Sequence, residues 1–114
     1  MINIANNKYA KINVTKTWLL QNGFRYNKNF STEESNVYTY RFPVHKYEKL
    51  TVLECELTLF VEDGTVVANV YDYGTNDKYA PFYYCEYGNY DEMLKIINRK
   101  IEKELKKLEI KQIK

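Results

Sequence analysis

Apolar and polar positions alternate most cleanly between Leu50 and Val61. Leu53, Cys55, Leu57, Leu59 and Val61 take one side, and Glu54, Glu56, Thr58 and Glu62 the other, with Phe60 the exception on the polar side. A period of two with one charged face predicts an antiparallel strand whose outer side is solvated. Val37 to Val44 repeats the pattern, with Tyr38, Tyr40, Phe42 and Val44 opposite Val37, Thr39 and Arg41. Pro43 marks a strand end or an edge, because it cannot donate to a ladder. Asp63-Gly64, between β-branched runs, predicts a turn into a partner strand over 66–73. There Val66, Ala68 and Val70 point inward, and Val67, Asn69, Tyr71 and Tyr73 outward, with the outward rings expected near Phe60.

Two stretches step by three and four instead. From Asn13, a candidate N-cap, Val14, Trp18, Leu19 and Leu20 predict a short helix closed by Asn22-Gly23. Phe24 to Tyr26 reads as a short strand, and the polar run NKNFSTEESN (27–36) as a loop. Near the C-terminus, Tyr90, Met93, Leu94, Ile97, Ile101, Leu105 and Leu108 form the stripe of a long core-facing helix. Asn89 is its expected N-cap, with Glu92 near a capping-box position, and a short basic tail follows it. The expected architecture is α+β, one domain over 1–114: an antiparallel meander of three to four strands, with an N-terminal helix and a long C-terminal helix packed on one face.

Between the last strand and the long helix lies YDYGTNDKYAPFYYCEYGNY (71–90), which holds seven of the twelve tyrosines. So much ring area is unusual for a solvated connection. The rings either pad the sheet and staple the helix to it, or form a recognition surface. In the second case Tyr71, Tyr73, Tyr79, Phe82, Tyr83, Tyr84 and Tyr87 are the contact residues. Tyrosine suits that role, supplying stiff area with a polar tip.

Charge adds an asymmetry. The total is +2, yet residues 95–114 carry eight basic groups against three acids, leaving this tail at +5 and the remainder at −3. Exposed rings beside cations would suit single-stranded nucleic acid or a nucleotide signal, with Lys95, Arg99, Lys103, Lys106 and Lys107 as phosphate contacts. Against this, Glu54, Glu56, Glu62 and Asp72 share the strand face with the tyrosines.

Catalytic signatures are lacking. His45 is the single histidine, Ser31 and Ser35 sit in the polar loop, and Cys85 with His45 is the only formal nucleophile–base pair. Two cysteines and one histidine cannot make a structural zinc site, and Glu54 with Glu56 reads as wet-face charge rather than as a cation site. No phosphate-cradling glycine motif occurs. The expectation is a non-enzyme without cofactor or metal. No run of about eighteen apolar residues is present, so no membrane helix is expected. MINIANNKYAKINV lacks a signal-peptide pattern, and two distant cysteines read as buried thiols. A cytoplasmic protein is expected.

YTYRFPVHKY (38–47), LECELTL (53–59), YAPFYYCEYGNY (79–90) and KKLEI (106–110) together resemble small, mostly uncharacterised phage and mobile-element proteins of low-GC Gram-positive bacteria. The resemblance spans about residues 37–110 and implies no catalytic residues. It implies a context, since such proteins are often inhibitors of host defence machinery, including CRISPR effectors. The +2 charge departs from the acidic nucleic-acid mimics among those inhibitors. The implied partner is a host protein bound through the aromatic segment. A nucleic-acid or nucleotide binder and a self-associating homodimer are the alternatives.

Overall fold

The structure is a computed structural model and describes residues 8–11, 14–32, 36–84 and 92–113. Its elements are β1 (Lys8–Ala10), α1 (Lys16–Gln21), β2 (Arg25–Tyr26), β3 (Val37–Tyr47), β4 (Leu50–Phe60), β5 (Thr65–Asp72), α2 (Ala80–Tyr84), α3 (Glu92–Lys107) and β6 (Lys111–Ile113). One antiparallel sheet runs in the order β2-β3-β4-β5-β1-β6. The class is α+β, as the patterning predicts, with more strands than expected. The additions, β1 and β6, are three residues each and pair with one another, too short to show a period of their own.

β4 lies inside the sheet, and its alternation becomes burial: Leu53, Cys55, Leu57 and Leu59 are enclosed together with Val66 and Val70 of β5. Burying each such side chain stabilises the fold by about 1.5–3 kcal/mol. β3 continues past Pro43 to Tyr47 because the ladder absorbs two opposite bulges, the extra residues being Val44 and Val52. The proline is tolerated because β2 pairs only with Tyr38 and Thr39, so the edge beyond them needs no donor from Pro43.

The helices cover one face of the sheet. α1 starts two residues later than expected: Thr15 is the N-cap, its hydroxyl accepting the Trp18 N–H at 3.1 Å. Gly23 at φ 87° turns the chain so that Phe24 enters the core, and a Cβ there would lie 3.1 Å from the Tyr40 ring. A ring series Trp18–Phe24–Tyr40–Phe42 at 5.3–5.9 Å spacing ties α1 to β3. α3 buries Leu94, Ile97, Ile101 and Leu105 against the same face, and the Tyr40 hydroxyl donates to Glu104 at 2.8 Å. Burial and that carboxylate push the Tyr40 pKa up to about 12.

A Schellman closure ends α3, with Ile110 N–H bonded to the Leu105 carbonyl and Glu109 N–H to that of Lys106. It turns the chain into β6, where a basic tail was expected. Gly64 (φ 73°) is required where β1 meets the β4–β5 connection, since a Cβ there would collide with the Lys11 carbonyl oxygen. The caps expected at Asn13 and Asn89, together with Ser35, Cys85, Tyr87 and Tyr90, lie outside the described residues.

Candidate recognition surface

With α1 and α3 on one face, the other face of β3–β5 carries Arg41, Glu54, Glu56, Thr58, Phe60, Val67, Asn69 and Tyr71. It is less solvated than its charges imply. Glu56 and Thr58 are buried, and Arg41 lies against Glu56. The Arg41 Nε donates to Glu56 at 2.8 Å, and Nη1 donates to Glu54 at 3.4 Å and to Asn76 Oδ1 at 3.1 Å. Its guanidinium stands 5.1 Å from the centre of the Tyr71 ring. The bond to Glu56 raises the Arg41 pKa further. The two carboxylates are thus committed to Arg41, which also clamps the loop holding Asn76, a residue at φ 61°.

Beside this closed cluster opens a groove of about 270 Å³, lined by Phe30, Glu56, Thr58, Phe60, Val67, Asn69 and Tyr71. Phe30 (60 % exposed) and Val67 (42 % exposed) are its most solvent-facing apolar members. The register separates the two rings expected to be neighbours: Tyr71 pairs with Glu54, whereas Phe60 pairs with Thr65 six residues along. They occupy different parts of the groove.

The tyrosine segment divides between packing and surface. β1 covers β5 only at Thr65 and Val66, leaving the rest of that edge to residues 77–83. Asp72 N–H donates to the Asp77 carbonyl, and Tyr79 N–H to that of Val70. Val70 N–H donates to the Tyr83 hydroxyl at 3.0 Å, which donates in turn to Asn69 Oδ1 at 2.9 Å. Burial pushes the Tyr83 pKa up to about 12. Phe82 is 1 % exposed and belongs to the core rather than to any contact surface, while Tyr79 and Tyr83 pack on that core half-buried. Tyr71 is half-buried under Arg41, and Tyr73 is 58 % exposed. Tyr87 and the side chain of Tyr84 lie outside the described residues.

Tyr73 shares its end of the sheet with two further exposed apolar residues. Its N–H donates to the Val52 carbonyl, close to the cross-strand pair Tyr47 and Leu50 (69 % and 72 % exposed). The α3 cations lie elsewhere. Lys95 pairs with Glu92 and Lys107 with Glu104, and Arg99, Lys103 and Lys106 are exposed. α3 covers the face opposite Tyr71, so these cations and the groove do not form one surface.

Sequence reasoning placed Arg41 and Val67 on the outer face without assigning them to the site, and missed Phe30, Tyr47 and Leu50. The one available signal was a lone phenylalanine within NKNFSTEESN, an apolar residue that a purely solvated loop does not need. Cys55 is a free, fully buried thiol whose pKa burial pushes well upward. Among the described residues no helix is long and apolar enough to cross a membrane. Comparisons with protein-family models, curated proteins and solved structures returned no match.

Proposed function

We propose that this chain is a non-enzymatic binding protein that recognises a protein partner through the helix-free face of its sheet. The observation that carries this reading is the groove between Phe30, Phe60, Val67 and Tyr71 beside the closed Arg41 cluster. An apolar slot of that size takes one or two partner side chains. A rim of satisfied polar groups around an aromatic centre is the composition of a protein interface core. The resemblance to phage and mobile-element proteins makes a host defence protein, such as a CRISPR effector, the proposed partner class, and inhibition by occlusion the proposed outcome.

The test compares tagged wild type with Val67→Glu and Phe30→Ser as baits in a Gram-positive host lysate. Both positions are exposed, so both variants should keep the wild-type melting curve. A stoichiometric protein held by wild type at high salt, lost with Val67→Glu and retained with Lys103→Glu, supports the reading. Equal capture by all baits overturns it, as does recovery of nucleic acid that high salt removes.

A further inference from the structure

At the far end of the molecule, where α3 turns into β6, a second concavity of about 560 Å³ is lined by Ala10, Lys11, Lys106, Glu109, Ile110 and Lys111, among others. Next to it lies a hollow of about 330 Å³ that reaches Tyr9 and Leu105. The first volume lies within the roughly 300–1,000 Å³ usual for small-molecule sites. Its apolar floor comes from Ala10 and Ile110, and its polar groups are three lysines, one glutamate and Gln112.

Two of the lysines need no ligand to explain them. Lys106 complements the carboxyl end of α3 as any last-turn cation does, and Lys111 begins an edge strand. Lys11 is different. It arrives from the other end of the chain with a side chain only 12 % exposed, and its ammonium lies 4.9 Å from the centre of the Trp18 ring. Its anion is Glu109 at 3.3 Å, a residue 80 % exposed and held at φ 57°, a conformation that favours glycine. A nearly buried cation is therefore neutralised by a solvent-exposed carboxylate on the rim of an open cleft. Lys106 and Lys111, on the same cleft, have no ion-pair partner among the described residues.

We infer that this cleft binds a small anionic ligand with an apolar body, its carboxylate or phosphate meeting Lys11, Lys106 and Lys111 where the Glu109 carboxylate now stands in. The apolar part lies on Ala10 and Ile110 and extends toward Leu105. Glu109 competes with the ligand and sets its affinity. A second copy of the chain is a poorer occupant, since it would bring two lysine sets together.

Isothermal titration with decanoate, decyl phosphate and decanol, each below micelle formation, tests the inference on the intact chain. Both anions should bind at least about tenfold more tightly than decanol, as charge-assisted hydrogen bonds demand. Lys106→Gln/Lys111→Gln, at exposed positions, should remove most of that preference without altering the melting curve. Glu109→Gln should tighten both anions by removing the competing carboxylate. Amide shifts should centre on Lys11 and Ile110. A preference for decanoate or for decyl phosphate assigns the headgroup. The inference is overturned by absence of binding, by equal binding of decanol, by unchanged affinity in the lysine variant, or by weaker binding in Glu109→Gln. It is equally overturned if only phosphatidylglycerol vesicles or an oligoglutamate peptide bind and the monomeric anions do not.

Discussion

The Tyr83 hydroxyl accepts the Val70 N–H at 3.0 Å, so a side chain from α2 completes the hydrogen bonding of β5 beyond the reach of β1. An unpaired strand edge is a template for association, and natural sheets cover it or charge it. Here a tyrosine covers it. Tyr83→Phe keeps the ring and removes the acceptor, leaving the Val70 N–H and the Asn69 side chain short of a partner. The expected cost is about 1–3 kcal/mol, read from chemical denaturation. Faster hydrogen exchange at the Val70 amide should accompany it and would distinguish edge opening from general loosening.

Tyr40 and Tyr83 are both pushed from the ordinary 10.0 to about 12, first by burial. A raised folded-state pKa means that the unfolded chain releases its proton first as pH rises. The associated stability is therefore complete below pH 10 and is lost progressively toward pH 12. Denaturation midpoints should fall across that window, and Tyr40→Phe should make the fall shallower. An unchanged slope in the variant would remove Tyr40 from the account.

Arg41 neutralises Glu56, whose side chain is only 11 % exposed, and also reaches Glu54 and Asn76. Arg41→Met leaves a largely buried carboxylate alone and should cost about 2–3 kcal/mol, at or below the low end for a broken buried pair because the guanidinium is itself part-exposed. Arg41→Met/Glu56→Leu should recover most of the loss. A double-mutant cycle with no coupling would show that the cluster does not hold the loop.

The β3–β4 hairpin turns on Glu48 at φ 56°, followed by Lys49. No hydrogen bond or ion pair holds the Glu48 side chain among the described residues. Glu48→Gly should therefore stabilise the fold by about 0.5–1 kcal/mol, relief of left-handed strain outweighing the added freedom of the unfolded chain. A rise in melting temperature without change in the denaturant slope would bear this out.

Asn98 is 1 % exposed on the buried side of α3, and its Oδ1 has no hydrogen-bond partner among the described residues. Its neighbour Ile97 is fully buried. Asn98→Leu should be neutral or stabilising, whereas Ile97→Ala should cost about 2–5 kcal/mol through cavity formation. Comparable losses in both variants would mean that the Asn98 amide makes a contact worth keeping.

Local pattern alone determined the α+β class, the β3–β4–β5 meander, the Gly23 and Gly64 turns and the core stripe of α3. In each case a period or a conformational requirement is written within a few consecutive residues. β1 and β6 were illegible because three-residue strands exist only through their pairing with each other and with β5. The candidate surface was half legible. The ring-rich segment was conspicuous, but whether a tyrosine pads or protrudes depends on what stands opposite it. Tertiary structure decided that Phe82 enters the core, that Tyr83 seals an edge and that Tyr71 lies beside Arg41, while Tyr73 stays exposed. Phe30, in a stretch with no periodicity, reached the groove only because the 27–36 connection ends near the outer face of β4. The pairing of Lys11 with Glu109, 98 positions apart, has no local trace, because closure of β1 on β6 alone creates it.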